Sequence, residues 1–161
     1  MVIEQSADSA KGGSALAMTD AAKVELARNL FKGWSYRGSV AMLEPLVHPD
    51  LVLFDLHIGE LRGFETIKGN LAAMLAMWPD VDYEVGDVWV NPDGAAISWV
   101  MTATVTPALG AKYGDDKVGQ RWRSPGISAL RMRAGRVIHE ADYYDPAGLR
   151  RSLGLHKSKR S

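Results

Sequence analysis

Carboxyl groups in apolar surroundings are the residues of this sequence best suited to chemistry. Asp55 interrupts an apolar run that extends from Leu51 to Leu56. An ionised carboxyl among apolar side chains loses hydration, which raises the pKa of such a group unless a cation pairs with it. A carboxyl of this kind can serve as a general acid or base near neutral pH. The structural alternative is that Asp55 caps a turn or pairs with Arg62.

A second pair of carboxyl groups, Glu140 and Asp142, lies near the end of a strand that we predict for residues 136–144. Residues two apart in a strand share a face. Glu140 and Asp142 therefore point to the same side as Ile138, and the opposite side carries Val137, His139, Ala141 and Tyr143. Asp142 could alternatively bind backbone N–H groups in the turn that runs to Asp145.

Further polar and aromatic side chains lie on one face of the predicted strand Gln120–Arg133. Arginines recur at alternate positions of this strand, and the face that bears them must point to solvent. Trp122, Ser124 and Ser128 then point to the interior. Buried aromatic residues usually belong to the core. Trp122, with Trp34 and Tyr36 at the end of the first helix, could instead line a pocket for a planar or ring-containing substrate.

Histidine and cysteine offer little for catalysis or metal binding here. His57 shares a face with Asp55 and could relay a proton, although a surface histidine at a strand end is the alternative. The four histidines lack the spacing of a metal site, and the sequence contains no cysteine. We therefore expect neither a metal nor another cofactor.

Three predicted helices and one strand make up the N-terminal half. Thr19 or Asp20 caps a first helix whose apolar residues recur at helical spacing up to Trp34. The other elements predicted here are a short helix from Ser39 to about Val47, a buried strand Leu51–Ile58, a turn Gly59–Gly63 and a third helix Phe64–Trp78.

Strands dominate the remainder of the chain. The alternation of apolar and polar residues predicts strands at Val81–Val90, Ala95–Thr106, Gln120–Arg133 and Arg136–Tyr144, and a short helix at Pro146–Leu153. Residues 107–119 are predicted to form a long, mobile hairpin loop that could act as a lid. Helices followed by antiparallel strands indicate an α+β domain with helices packed on one face of a curved sheet.

Composition places this domain among ordinary globular proteins. The chain of 161 residues is 47% hydrophobic and 24% charged, which fits one domain over residues 19–155 with a mobile tail at 1–18 and a basic tail at 156–161. Nineteen basic residues balance nineteen acidic ones, so we expect no nucleic-acid or membrane partner. Because no secretory or membrane-spanning segment is evident, a cytoplasmic location is expected.

Several short motifs, taken in order, resemble a known superfamily. They are His48-Pro49-Asp50-Leu51-Val52, Leu61-Arg62-Gly63, Asp93-Gly94, Gly135-Arg136-Val137-Ile138 and Asp142-Tyr143-Tyr144-Asp145. Over about residues 20–153 the chain is similar to the nuclear transport factor 2-like superfamily, and within it to the SnoaL-like polyketide cyclases and the related ketosteroid isomerases. This resemblance implies a cone-shaped sheet that encloses an apolar pocket capped by helices.

The resemblance also implies roles for particular residues. Asp142 resembles the catalytic aspartate of polyketide cyclases and limonene epoxide hydrolases, which points into the cone, and Glu140 would accompany it. Asp55 matches the proton-shuttling base of ketosteroid isomerases. Epoxide hydrolases carry an Arg-x-Asp pair that would point inward on the strand Ala95–Thr106. The matching positions here are Val100 and Thr102, so that mechanism lacks its parts.

Ketosteroid isomerases bind the enolate with a first-helix tyrosine and a protonated acid. Phe31 and Ser128 stand at the matching positions here, which leaves Ser128 or Tyr144 as donors.

These observations predict a cofactor-independent enzyme that uses carboxylate acid/base chemistry on an apolar, ring-containing small molecule. Elimination, isomerisation and aldol-type cyclisation or cleavage all fit. Asp142 would be the principal acid/base and Asp55 the second carboxylate, while Trp122, Ser128 and Tyr144 would position the substrate. Four further residues are predicted to contact the substrate, namely Trp34, Tyr36, His57 and Glu140. The alternatives are a ligand-binding module without catalysis and, less favoured, an epoxide hydrolase.

An apolar outer sheet face predicts a homodimer. With Val100 and Thr102 taken as inward-facing, the outer face collects nine apolar or aromatic residues. They are Ile97, Trp99, Met101, Val105, Ile127, Ala129, Val137, Ala141 and Tyr143. Such a contiguous patch usually marks an interface.

Overall fold

A computed structural model describes residues 18–145 and 147–155. The predicted tails at 1–18 and 156–161 lie, apart from Met18, outside the described residues. The helices are α1 (Asp20–Trp34), α2 (Val40–Leu43), α3 (Phe64–Met77), α4 (Gly110–Tyr113) and α5 (Gly148–Ser152). The strands are β1 (Val47–Asp55), β2 (Gly59–Arg62), β3 (Asp82–Asn91), β4 (Gly94–Thr104), β5 (Arg121–Arg133) and β6 (Arg136–Tyr144).

The strands form one curved, open sheet in the order β2-β1-β6-β5-β4-β3. β1 and β6 pair in parallel, and the other neighbouring strands are antiparallel. α1 packs against β3 and β4, and α3 packs against β1. The predicted α+β class is therefore confirmed. None of the described helices is long and apolar enough to cross a membrane.

α1 brings an apolar stripe and a terminal tryptophan onto the sheet. The Thr19 hydroxyl accepts a hydrogen bond from the backbone N–H of Ala22 and starts the helix where the sequence predicts. Leu26, Ala27, Leu30, Phe31 and Trp34 recur at helical spacing and are buried. Because the helix ends at Trp34, its indole projects over the sheet.

The turn that follows β1 differs from the sequence prediction. The Asp55 carboxylate accepts hydrogen bonds from the backbone N–H groups of His57, at 2.7 Å, and Ile58, at 3.1 Å. This cap reverses the chain after Asp55, and β2 then pairs antiparallel with β1. The predicted strand to Ile58 and the predicted turn at Gly59–Gly63 are therefore wrong, and the sheet gains a sixth strand.

The facing of β4 is also the reverse of the prediction. The register places Ile97 opposite Ser128 and Trp99 opposite Gly126, so Ile97 and Trp99 point inward. Ile97 is fully buried and Trp99 nearly so. Val100 and Thr102 point outward instead. The prediction was one residue out of phase, and such a slip moves every side chain of a strand to the other face.

Val137 is a second correction to the predicted outer face. It is fully buried in the core. A register shift between Arg131 and Met132 interrupts the alternation where β5 meets the start of β6. Past this irregularity, Glu140 points inward as predicted. The inward facing of Trp122, Ser124 and Ser128 is confirmed as well, since all three are buried.

Residues 107–119 fold into short helical segments rather than an irregular hairpin loop. α4 lies between two 3-10 turns, Pro107–Leu109 and Asp115–Lys117. Tyr113 of α4 is buried, and its ring packs 6.0 Å from that of Trp78. The segment therefore covers one end of the sheet.

Gly126 lies beneath the indole of Trp99, and this close approach generates a stability prediction. A Cβ atom at position 126 would overlap the Trp99 ring. We expect Gly126→Ala to lower the free energy of unfolding by roughly 1–3 kcal/mol, as overpacking does. The matched control is Gly69→Ala in α3, where a Cβ meets nothing within 4 Å. Because alanine favours a helix interior, it should raise that free energy by about 0.5–1 kcal/mol. Urea unfolding measures both, and a Gly126→Ala protein as stable as the parent would contradict the packing described.

Candidate functional site

Three polar residues form a row across neighbouring strands. Asp55 of β1 lies beside Asp142 of β6, and Asp142 lies beside Ser128 of β5. Paired positions of neighbouring strands carry their side chains on the same face. The sheet thus brings two of the predicted carboxyl groups and a hydroxyl to one place, below the end of α1.

Asp142 is bound by neutral donors. The Ser128 hydroxyl donates to Asp142 Oδ1 at 2.5 Å, and Trp99 Nε1 donates in turn to Ser128 Oγ at 2.8 Å. Burial raises the pKa of Asp142 to about 7; the Ser128 hydrogen bond opposes this rise and the Asp55 charge adds to it. Asp142 can therefore gain or lose a proton near neutral pH.

Glu140 is the most deeply buried acid of the site, with 1% of its surface exposed. Trp34 Nε1 donates to Glu140 Oε2 at 3.2 Å. Burial, followed by the charge of Asp142, raises the pKa of Glu140 well above its usual value. α1 and β6 are therefore joined through a carboxyl group that resists ionisation.

Asp55 has a structural task in this arrangement. Besides the turn, its carboxylate accepts a hydrogen bond from the Tyr144 hydroxyl, at 3.1 Å to Oδ1 and 3.2 Å to Oδ2. Arg62, the alternative partner considered from the sequence, pairs with Glu60. The ring of His57 meets the Tyr144 ring edge-on at 5.3 Å. Burial and then the Asp55 charge raise the pKa of Tyr144 above its usual value.

Tyr83 also belongs to the site, although the sequence alone assigned it no role. Burial raises the pKa of Tyr83 well above its usual value, and the charges of Asp142, Glu140 and Asp55 raise it further. Its ring packs edge-on against Phe31 at 5.4 Å and Trp99 at 5.6 Å. The feature that could have identified Tyr83 is the pairing of β3 with β4, which sets Tyr83 opposite the inward-facing Met101.

The structure does not bring two of the predicted residues to this place. Trp122 lies in a separate apolar cluster, where its ring packs edge-on against Trp78 at 5.0 Å. Tyr36 is 43% exposed, and its hydroxyl accepts a hydrogen bond from Arg37 Nε. The other predicted residues meet at the site, namely Asp55, His57, Ser128, Glu140, Asp142, Tyr144 and Trp34.

No lysine or arginine among the described residues forms a salt bridge with Asp55, Glu140 or Asp142. Within the same residues, no group of three potential metal ligands is present. Tyr144 also lines a shallow surface groove of about 480 Å³ together with Gly126 and Asp145, so one edge of the site lies close to solvent. The arrangement can hold or release a proton beside aromatic rings.

Comparisons with known proteins agree with this fold. A protein from Jannaschia sp. CCS1, named as a candidate SnoaL-like polyketide cyclase, is 19% identical with a TM-score of 0.69, over 85% of this chain and 94% of that one. AclR, a candidate hydroxylase from Streptomyces galilaeus, is 21% identical with a TM-score of 0.68, over 87% and 89%. An LEH-like epoxide hydrolase from M. tuberculosis is 11% identical with a TM-score of 0.64, over 83% of this chain and 85% of that one.

At these low identities the TM-scores establish a shared fold alone, on which differently named proteins are built. No significant match is found among curated proteins. A family model for the SnoaL-like domain matches residues 27–140, which is more than half of the chain. The match extends from α1 to Glu140 and so includes Ser128 and both tryptophans that donate to the site. The chain therefore belongs to the SnoaL-like domain family of the nuclear transport factor 2-like superfamily.

Proposed function

We propose that this protein is a cofactor-independent enzyme in which Asp142 transfers a proton to and from an apolar, ring-bearing small molecule. The observation that carries the proposal is a buried carboxyl group that has neutral donors and no cation among the described residues. A carboxyl whose pKa lies near the working pH is an effective general base and, once protonated, an effective general acid.

The reaction begins with removal of a proton from a carbon next to a carbonyl group. The Asp142 carboxylate takes this proton, and the electron pair of the C–H bond passes to the carbonyl oxygen as an enolate. Tyr83 carries a hydroxyl group near the carboxyls that can donate to this oxygen. The Tyr144 hydroxyl already donates its one proton to Asp55. The proton on Asp142 then returns to another carbon or to a leaving group, which gives isomerisation, elimination or an aldol-type reaction.

Asp55 is proposed as the second carboxylate, acting through other groups. Its hydrogen bond orients the Tyr144 hydroxyl, and its negative charge helps to raise the pKa of Asp142. Ser128 orients Asp142 directly. The aromatic rings of Phe31, Trp99 and Tyr144 are the surfaces that favour a ring-bearing substrate.

An epoxide hydrolase and a ligand-binding module without catalysis are the two alternatives, and both have less support. The inward-facing positions of β4 carry Ile97, Trp99 and Met101, so the Arg-x-Asp pair of epoxide hydrolases is missing from the corrected face as well. A binding module without catalysis would need no proton-transferring group, and nothing would then favour a carboxyl with a pKa near 7.

The activity test is the exchange of protons on the carbon next to the carbonyl group for deuterium in D₂O. This test requires no knowledge of the final product. With a panel of cyclic ketones and β-dicarbonyl compounds, we expect exchange that Asp142→Asn slows by roughly 100-fold or more. NMR spectroscopy follows the loss of the α-proton signal. Asp87→Asn, a change at an exposed acid on β3, is the control and should exchange at the parent rate. Equal rates in the Asp142→Asn variant and the parent would contradict the assignment.

A substrate-free prediction concerns the pH dependence of stability. Because folding raises the pKa of Asp142 from its usual value near 4 to about 7, the native state binds more protons than the unfolded state between these pH values. Stability therefore falls as pH rises through this window, by up to about 1.4 kcal/mol per pH unit for one such group. Urea unfolding from pH 4.5 to 8 should show Asp142→Asn gaining stability relative to the parent as pH rises. A difference that does not vary with pH would refute the buried, cation-free state of Asp142.

We also propose that the outer sheet face forms a homodimer, on a corrected set of residues. Ile127 and Tyr143 are 40% and 49% exposed, lie opposite each other on β5 and β6, and have Phe54 beside them. We expect sedimentation at micromolar concentration to show a dimer that Ile127→Glu converts to a monomer. Met42→Glu, a change at an exposed apolar residue of α2, should leave it intact. Trp99, which the sequence alone would place on this face, is no probe of the interface because it lies in the core. A monomeric parent protein would overturn the proposal.

A further inference from the structure

Glu140 has one oxygen whose hydrogen bonding is unexplained by the contacts described so far. Oε2 accepts from Trp34, but Oε1 is buried and has no donor among the described residues. A buried carboxylate oxygen without a donor is costly, because it loses hydration and gains nothing in exchange. If Oε1 carries a proton, it becomes a donor and needs an acceptor instead.

The acceptor within reach is the Asp142 carboxylate. Glu140 and Asp142 are two residues apart on one inward face of β6, so their side chains are neighbours. A hydrogen bond between them raises the pKa of Glu140 and lowers that of Asp142. Two ionised carboxylates at this separation would repel, and no lysine or arginine of the described chain pairs with either one. Sharing one proton removes the repulsion and satisfies Oε1.

The proton belongs on Glu140 rather than on Asp142. Asp142 already accepts a short hydrogen bond from Ser128, which favours its ionised form. Glu140 is the more deeply buried group and receives a single indole donor. Burial and then the Asp142 charge raise the pKa of Glu140 well above its usual value. At Asp142 the Ser128 hydrogen bond opposes the rise that burial causes.

We propose that Glu140 is a positioning residue that remains protonated and donates a hydrogen bond to the Asp142 carboxylate. The buried pair then carries one negative charge, which Asp142 bears and loses when it accepts a substrate proton. This role replaces the direct substrate contact predicted for Glu140 from the sequence. The inference deepens the proposed function and rests on it for its catalytic meaning, but the protonation states can be measured without substrate.

Other titratable groups face the pair from the surrounding elements. Asp55 approaches from β1, Tyr83 from β3 and Tyr144 from the end of β6. His57 lies against the Tyr144 ring. The Asp55 charge opposes ionisation of Asp142, and the hydrogen bond from Glu140 offsets it. Without that donor, Asp142 would stay protonated to a higher pH and fewer molecules would hold the base form at neutral pH.

The direct test is a ¹³C NMR titration of the side-chain carboxyl carbons in the full chain. Asp142→Asn and Glu140→Gln identify the two signals by their loss. We expect the Glu140 carbon to keep the chemical shift of a carboxylic acid through pH 8, while the Asp142 carbon titrates near pH 7. A Glu140 signal that titrates below pH 7 would overturn the proposal.

Two variants test the hydrogen bond itself. Glu140→Gln keeps a donor, so the Asp142 midpoint should stay within about half a pH unit of the parent value. Glu140→Leu removes the donor and should raise the midpoint by roughly one unit or more. If Glu140 carried the charge, Glu140→Gln would instead lower the midpoint by about a unit or more, because a like charge is removed. If Glu140 only fills space, neither variant moves it. Either of the last two results overturns the proposal.

The pH profile of deuterium exchange separates this inference from the proposed function. Glu140→Leu should displace the profile to higher pH, so that the rate at pH 7 falls roughly tenfold and recovers in alkaline solution. A protein that exchanges no substrate proton but shows the expected NMR titrations would refute the proposed function alone. Normal exchange with an unaltered profile in Glu140→Leu would refute the role of Glu140 alone.

Discussion

Burial of two carboxyl groups without a cation is the constraint on which the interior of this protein depends. Glu140 and Asp142 lose hydration on one face of β6, and three elements each supply a side-chain donor in return. Trp34 comes from the end of α1, Ser128 from β5, and Trp99 from β4 by way of Ser128. The length of α1 and the register of β4, β5 and β6 are therefore tied to the satisfaction of these two groups.

Neutral donors rather than cations set the chemistry of the site. An arginine paired with Asp142 would lower the pKa of the Asp142 carboxyl group and keep this group ionised. The carboxylate would then be a weaker base near neutral pH. The Ser128 hydroxyl donates to Asp142, and the Trp99 indole donates in turn to Ser128. These neutral donors do not fully offset the hydration that the Asp142 carboxyl loses, so its pKa rises to about 7. The same choice lowers stability at neutral pH, because the native state binds protons that the unfolded chain releases. The proposed proton transfer and the stability of the fold thus make opposite demands on Asp142.

The sequence was sufficient for the helices and for most strands, because capping residues and periodicity are local signals. Thr19 and Ser39 cap helices where predicted, and the arginines of β5 reveal its inner face. β4 carries a signal of its own, since Ser98, Thr102 and Thr104 share one face while Ile97, Trp99 and Met101 share the other. Matching Val100 and Thr102 to inward positions of related proteins overrode this alternation, and the register that sets Trp99 opposite Gly126 shows that the alternation was right. Six of the nine predicted site residues meet because their inward facing follows from strand alternation or from a helix end, and a seventh, His57, reaches the site from the exposed turn after β1. Trp122 does not join them because α4, which periodicity failed to reveal, gives it a separate cluster.

The two apolar clusters of the interior meet at side chains that adapt easily. Met74, Leu75, Tyr83 and Met101 pack against both the cluster beneath α1 and the cluster around Trp122. Two of these four are methionines, whose unbranched, polarisable side chains repack at low cost. Tyr83 is the member of the set whose hydroxyl also senses the carboxyl charges. The methionines therefore make the boundary between the clusters the part of the interior that repacks most easily. The close packing of Trp99 on Gly126 and its hydrogen bond to Ser128 meanwhile hold the Asp142 carboxyl group in place.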